Sequence, residues 1–150
     1  MSCDAAAAAI FLWLAAASPQ GAQGLSPQPA APAGAVAYEP LFADIIRRAT
    51  RLKAEAETLR RDGQAASAAF KTQVRELSDL DMQGHVTLRE RGTDGDLKCI
   101  LKGISQDLPE KLAAMEAATS PKDRDLALAD MVYLLNDNVE VITAPPKPPV

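Results

Sequence analysis

The sequence has few of the residues that build catalytic and metal sites. It contains one histidine, His85, and two cysteines, Cys3 and Cys99, in 150 residues. This supply cannot fill a tetrahedral zinc site, and the Cys-x-x-Cys-His motif of haem attachment is absent. The acidic residues are scattered as helix-surface charges. We therefore expect no catalytic, cofactor-binding or metal site.

Aromatic residues are also scarce, at 4% of the chain, although 47% of the residues are hydrophobic. Alanine supplies much of that hydrophobic fraction and is the strongest helix former, whereas β-sheets favour aromatic and β-branched residues. The chain is long enough for one domain and too short for a second. The composition therefore predicts a single all-α domain.

Neither sign of charge dominates, since the net charge is −4. Residues 41–92 carry ten Lys and Arg against eight Asp and Glu (+2), and residues 93–144 carry five against ten (−5). So mild an imbalance gives no reason to expect nucleic acid as a partner.

The most basic stretch is interpreted as a solvated helix face that nearby acidic residues offset. It contains Arg47, Arg48, Arg51, Arg60 and Arg61. A dock for an anionic partner or for anionic lipid headgroups is the alternative.

The N-terminal apolar run is too short to cross a membrane. Residues 5–17 are thirteen apolar residues, whereas a bilayer needs about 20. The run has the length of a signal-peptide core and ends in small residues suited to cleavage, although residues 1–4 lack Lys and Arg. We expect residues 1–17 to be a signal peptide, with no transmembrane segment after cleavage, and the mature protein to be periplasmic or secreted. A buried alanine-rich helix of a cytosolic protein is the alternative.

Proline marks the segments that flank the domain. Residues 18–40 contain Pro19, Pro27, Pro29, Pro32 and Pro40. This composition predicts a disordered Pro/Ala-rich spacer over 18–40, and residues 145–150 form a similar Pro-rich tail. The helical domain is predicted to span residues 41–144.

One apolar seam runs through the first half of this domain with steps of three and four. Its members are Ile45, Ala49, Leu52, Ala56, Leu59, Gly63, Ala66, Phe70, Val74 and Leu77. Because the seam stays in phase across Gly63, it predicts one long helix over residues 41–82. A turn at Asp62-Gly63 is the alternative, and it would give a four-helix bundle.

Two shorter helices are predicted after this one. The first carries an apolar stripe of Leu97, Leu101, Ile104, Leu108, Leu112 and Met115. Asp94 or Asp96 is placed to cap its start, and Pro109 should kink or restart it with Asp107 as a new cap. A β-hairpin over residues 85–101 is the less favoured alternative.

The last helix has the clearest start, at Ser120-Pro121. Its stripe is Leu128, Val132, Leu135, Val139 and Ile142. The favoured architecture is therefore a long N-terminal helix packed with two shorter antiparallel helices, as a helical hairpin or three-helix bundle.

Two local features could carry chemistry or binding. Cys99 and His85 could form a nucleophile and base, but Cys99 is interpreted as a core residue and, once Cys3 is cleaved away, as a thiol with no intrachain disulfide. Asn136-Asp137-Asn138 is unusual within a helix. Exposed polar residues are the simpler interpretation, and a binding spot or a buried polar contact that fixes helix register is the alternative.

These patterns favour an exported, non-enzymatic helical interaction protein of unknown mechanism. It would act as an adaptor, a chaperone-like protein or a structural protein of the envelope, through a protein partner or self-association, and without a cofactor. A helical bundle that binds a small apolar ligand is the first alternative. A Cys99-dependent enzyme or redox protein is the weakest.

Export can be tested by fluorescence, because Trp13 is the only tryptophan and lies in the predicted signal peptide. The mature protein should show emission from Tyr38 and Tyr133 and none from tryptophan. Mature protein that retains tryptophan emission would contradict cleavage.

Overall fold

The protein folds into consecutive helices, and the computed structural model describes residues 35–92 and 95–144. A short 3-10 helix, Ala35–Tyr38, precedes four α-helices. These are α1 (Pro40–Asp62), α2 (Ala68–Glu90), α3 (Leu97–Ala117) and α4 (Pro121–Thr143). The described residues contain no strand. The predicted all-α class is therefore confirmed.

The chain turns at Gly63, where the seam predicts a continuous helix. Gly63 has a φ of 64°, in the left-handed region. Its N–H donates to the carbonyl of Arg60 at 3.3 Å, and the N–H of Gln64 donates to the carbonyl of Leu59 at 2.9 Å, which is the Schellman pattern that ends helices. Ser67 then caps α2 by accepting the N–H of Phe70 at 3.0 Å. The single helix over 41–82 is wrong, and the structure has the four-helix alternative.

The second helix continues to Glu90, beyond the predicted end near residue 82. Gly84 does not break it, because the missing side chain makes room for its neighbours. A Cβ at Gly84 would lie 3.2 Å from Cδ1 of Leu101 and 3.3 Å from Cε1 of Phe42. The alternative of a β-hairpin over 85–101 is wrong as well, since this range contributes to α2 and α3.

The third helix runs through Pro109 instead of restarting there. Proline lacks the N–H that would bond the carbonyl four residues earlier, which belongs to Ser105. That carbonyl accepts the hydroxyl of Ser78 on α2 at 2.6 Å. Asp107 therefore caps no new helix. Asp96 stands at the N-terminus of α3 without a side-chain capping bond, and Asp94 lies outside the described residues.

The start of α4 is confirmed as predicted. The Oγ of Ser120 accepts the N–H of Asp123 at 3.1 Å, and its hydroxyl donates to Oδ2 of the same residue at 2.6 Å. Pro121 occupies the first turn, where a missing N–H costs nothing.

The four helices form an antiparallel bundle in which each packs against the helix before and after it, and α4 closes the ring against α1. The antiparallel direction of α1 and α4 follows from two side-chain contacts whose partners occur in opposite orders along the two helices. Between α1 and α4, Lys53 bonds Asn136 and Arg60 bonds Asp125. α2 and α4 therefore lie diagonally across the bundle, as do α1 and α3.

The core is built from the predicted stripes. Residues with no exposed surface include Ile45, Leu52, Phe70, Val74, Leu77, Leu101, Leu108 and Leu135. Gly63 and Ala66 are the members of the first seam that are not buried, because the seam is interrupted there by the turn. Val132 and Val139 of α4 are partly buried at the edge of the core.

The described helices begin before the predicted boundary at residue 41. Val36 and Ala37 of the 3-10 helix pack against the core, so the last part of the predicted spacer belongs to the fold. The predicted signal peptide (1–17), the rest of the spacer and the tail (145–150) lie outside the described residues. Among the described helices, none is long and apolar enough to cross a membrane.

Replacing Gly63 with alanine should lower the free energy of unfolding by about 1 to 2 kcal/mol, because a Cβ is strained at a left-handed position. Nothing lies within 4 Å of that Cβ, so backbone strain is the only cost. Gly103→Ala is the matched control. It also adds a Cβ with no neighbour within 4 Å but lies inside α3, so it should stabilise by about 0.5 to 1 kcal/mol. Urea midpoints measure both. A higher midpoint for Gly63→Ala would contradict the turn.

Candidate functional site

The outward side of α4 combines acidic and large apolar residues. Asp123, Asp130 and Asp137 recur every seven residues, and Leu126 and Tyr133 recur at the same interval between them. Seven residues make about two helical turns, so all five lie along one face. Leu126 is 55% exposed and Tyr133 72% exposed, although both are large apolar residues. We call these five residues the α4 outer face.

A shallow cleft adjoins the N-terminal half of this face. It lies between the end of α3 and the start of α4 and has a volume of about 340 Å³. Its lining is mainly Ala114, Ala117, Ala118, Leu126 and Ala127, with Asp123 and Asp130 among its polar residues. Small side chains on α3 thus leave Leu126 beside an accessible apolar depression.

The carboxylates of this region are held in defined positions. Asp130 pairs with Lys111 of α3 at 3.2 Å, and Asp123 accepts the Ser120 hydroxyl. Asp125, on the adjacent side of α4, accepts two hydrogen bonds from Arg60 of α1, and these bonds lower the pKa of Asp125. Asp123, Asp130 and Asp137 thus place carboxyl groups around Leu126 and Tyr133 on the α4 outer face.

The arginine-rich stretch of α1 is occupied by pairs within the protein. Arg48 bonds Asp44 and Glu76, each at 2.9 Å, and Arg47 also bonds Asp44. These hydrogen bonds, with that from Arg47 the largest cause, lower the pKa of Asp44. Arg51 donates to the side chain of Gln73 at 2.6 Å. Such pairing accords with a solvated face and leaves the dock for anions without support.

Cys99 and His85, the pair considered as a nucleophile and base, are each engaged in another contact in the structure. His85 is 2% exposed, and its Nδ1 lies 2.6 Å from the carbonyl of Lys98. A carbonyl only accepts, so Nδ1 carries the proton and the imidazole joins α2 to α3. Cys99 is disulfide-bonded. Its sulfur in this state offers no thiolate for nucleophilic chemistry.

The prediction of a thiol without an intrachain disulfide at Cys99 applies to a chain from which residues 1–17 have been removed, and the bond at Cys99 leaves it untested. The full sequence also contains a second cysteine. That cysteine, Cys3, lies outside the described residues. Cys99 itself is partly buried in the first turn of α3.

The residues of the Asn136-Asp137-Asn138 run differ in burial, since Asn136 is partly exposed and Asn138 lies in the core. Asn136 accepts a hydrogen bond from Lys53 of α1 at 2.8 Å and donates to Glu140. Asn138 has no exposed surface and donates to Asp81 of α2 at 2.8 Å. The alternative of a buried polar contact is the correct one for Asn138.

The sequence analysis missed Asp81, although a signal for it existed. Val74, Leu77, Asp81, His85 and Leu88 step by three and four, so Asp81 stands in phase with the buried seam. A polar residue at a seam position predicts a buried polar contact. The expected end of the helix near residue 82 separates Asp81 from His85 and Leu88, so the common spacing of these residues is not apparent.

The larger clefts described here lie at the end of the bundle where α1 joins α2 and α3 joins α4. One of about 150 Å³ is lined partly by Lys71, Glu116 and Arg124. It is smaller than a typical ligand pocket of ~300 to 1,000 Å³ and is rich in charge. The cleft of about 340 Å³ beside Leu126 reaches this size but is a shallow surface depression, so the apolar-ligand alternative stays a prediction.

Leu126→Asp and Leu135→Asp should separate the outer and inner faces of α4. Leu135 is fully buried, and an unpaired charge there should cost several kcal/mol and unfold the domain. Leu126 is largely exposed, so the same change should alter stability by no more than about 0.5 kcal/mol. Circular dichroism and urea unfolding measure both. Unfolding by Leu126→Asp would place Leu126 in the core.

The side chains of the α4 outer face are suited to noncovalent recognition, since they offer carboxylates, a leucine and a phenol. Within residues 35–92 and 95–144, no group of three or more His, Cys, Asp or Glu side chains could hold a metal ion. No protein-family model, no curated protein and no solved structure matches this chain.

Proposed function

We propose that this protein is an exported, non-enzymatic helical bundle that binds a protein partner through the α4 outer face. The observation that carries the proposal is the exposure of Leu126 and Tyr133 on one face of α4, beside an alanine-lined cleft. Exposed apolar surface framed by polar residues is typical of protein interaction sites. Tyrosine is among the residues that contribute most to binding at such sites.

The charges of the face define the kind of partner. Asp123, Asp130 and Asp137 surround the two apolar side chains, so a complementary surface has apolar residues with Lys or Arg at its rim. An amphipathic basic helix fits this description, because its apolar residues can enter the cleft at helical spacing. Self-association through this face alone would bring the aspartates of two copies together, which like-charge repulsion disfavours.

The remaining parts of the proposal rest on the sequence. The apolar run at residues 5–17 supports export, and the proline-rich segment that follows supports a tether between the N-terminus and the bundle. An adaptor or a structural protein of the envelope uses such an arrangement. The partner chemistry proposed for α4 is compatible with either role.

The proposal is tested by purifying the full chain from its own envelope fraction and identifying the proteins that accompany it. The double variant Leu126→Ser/Tyr133→Ser should recover at least about tenfold less of the partner, since loss of central apolar contacts costs more than 1 kcal/mol. Tyr38→Ser is the matched control, because Tyr38 is 89% exposed but lies on the 3-10 helix. Both variants should remain folded.

Equal recovery with the double variant and the native protein would contradict the assignment of the α4 outer face. Equal loss with Tyr38→Ser would show that the face is not specific. An extractable small molecule in place of a protein would favour the ligand-binding alternative.

A further inference from the structure

A buried hydrogen bond crosses the centre of the bundle between two helices that are not neighbours. Asp81 on α2 and Asn138 on α4 both have no exposed surface. The Nδ2 of Asn138 donates to Oδ2 of Asp81 at 2.8 Å. Because α2 and α4 lie diagonally, this bond passes through the core between α1 and α3.

The bond leaves one oxygen on each side chain unsatisfied. Oδ1 of Asp81 and Oδ1 of Asn138 are buried, and neither has a hydrogen-bond partner among the described residues. Buried polar atoms in native proteins are nearly always paired, because an unpaired one loses its hydrogen bonds to water. Two bare acceptors cannot bond each other. A carboxylic acid can, since its O–H donates to an amide oxygen while the amide N–H donates to its carbonyl.

We propose that Asp81 is a neutral carboxylic acid whose Oδ1–H donates to Oδ1 of Asn138, so that one proton closes the contact between α2 and α4 and its loss opens it. The proton moves to solvent when the contact opens. The charge left on Asp81 then has one hydrogen bond and no surrounding water, which favours separation of the two helices.

Among the described residues, no ion pair compensates a charge at this position, and no charged neighbour is among the causes that shift the pKa of Asp81. Along α2 the ionisable residues beside Asp81 are Asp79 and His85, Asp137 precedes Asn138 on α4, and Lys53 and Lys102 lie on α1 and α3. His85 is bonded to a backbone carbonyl, and Lys53 to Asn136. Burial raises the pKa of Asp81 from 3.8 to about 8, opposed only by the hydrogen bond from Asn138.

The raised pKa of Asp81 sets the sign of the pH dependence of stability. In the unfolded chain the carboxyl releases its proton near its ordinary pKa of 3.8, and in the folded protein it holds the proton up to a pKa of about 8. The folded state therefore binds more protons within that window. The contribution of Asp81 to stability is complete below the lower pKa and is lost as pH rises through the window to about 8.

The first test compares urea unfolding of the native protein and Asp81→Asn across this pH range. Asparagine keeps both hydrogen bonds, because its N–H₂ can donate to Asn138 at any pH. Relative to Asp81→Asn, the unfolding equilibrium constant of the native protein should rise about tenfold per pH unit between about pH 5 and pH 7.5. Asp79→Asn is the matched control, since Asp79 is exposed on the same helix, and it should keep the native slope.

The second test uses native protein labelled with carbon-13 at the aspartate carboxyl groups and needs no variant. At pH 6 one resonance should have the chemical shift of a carboxylic acid and should titrate only near pH 8. At a pH above that titration, amide exchange in α4 should be faster in the native protein than in Asp81→Asn.

Two results would overturn the proposal. One is a set of aspartate resonances that all titrate in the ordinary range, since Asp81 would then be ionised at neutral pH. The other is equal exchange in α4 for the native protein and Asp81→Asn, because the proton would then leave without opening the contact. If the ratio of the unfolding constants of the native protein and Asp81→Asn does not change with pH, that result also means that Asp81 is ionised at neutral pH.

Discussion

The left-handed turn at Gly63 is the constraint on which the bundle depends. It folds one apolar seam back on itself, so that Leu52 on α1 and Phe70 on α2 enter the same core. An unbroken helix would extend about 60 Å at 1.5 Å per residue and would leave half of its seam without a partner. The turn requires a residue without a Cβ, backbone donors that reach Arg60 and Leu59, and a cap at Ser67 to start the next helix. All of these are local, and the bundle topology follows from them.

Within that topology α2 supplies the polar contacts that fix the relative positions of the helices. Ser78, Asp81 and His85 step by three and four along one side of α2. Ser78 and His85 donate to backbone carbonyls of α3, and Asp81 bonds Asn138 of α4. Hydrophobic packing is nondirectional, so apolar contacts among Leu, Ile and Ala distinguish one helix register from another less sharply than hydrogen bonds do. A slide of α3 would remove the Ser78 donor from the carbonyl that Pro109 leaves free. Polar contacts therefore specify a register that apolar packing alone leaves open.

Periodicity in the sequence was enough to predict the all-α class, the apolar stripes and the start of α4 at Ser120. It was not enough to locate the turn at Gly63. The five-residue connection between Asp62 and Ala68 preserves the spacing of three and four in the sequence, so the seam reads as unbroken although Gly63 and Ala66 lie in the connection. The glycine followed by Ser67 was the available signal. Gly84 and Pro109, in contrast, suggest breaks that the helices do not have. Tertiary contacts compensate both residues: Phe42 packs closely at Gly84, and the Ser78 hydroxyl bonds the carbonyl that Pro109 leaves free. Such compensation depends on residues distant in sequence.

The distribution of reactive groups bears on function. The imidazole of His85 and the carboxyl of Asp81 lie in the core, where each is used to join helices. Cys99 is disulfide-bonded, and most arginines of α1 pair with acids of the same domain. A substrate that used one of these groups would have to replace a contact that the group makes within the protein. Leu126 and Tyr133 have no such role. Both side chains are largely exposed, so they contribute little to the core, and the contact of their apolar surface with water is unfavourable. The exposure of Leu126 and Tyr133 beside an alanine-lined cleft is therefore the reason that we propose the α4 outer face as a recognition surface.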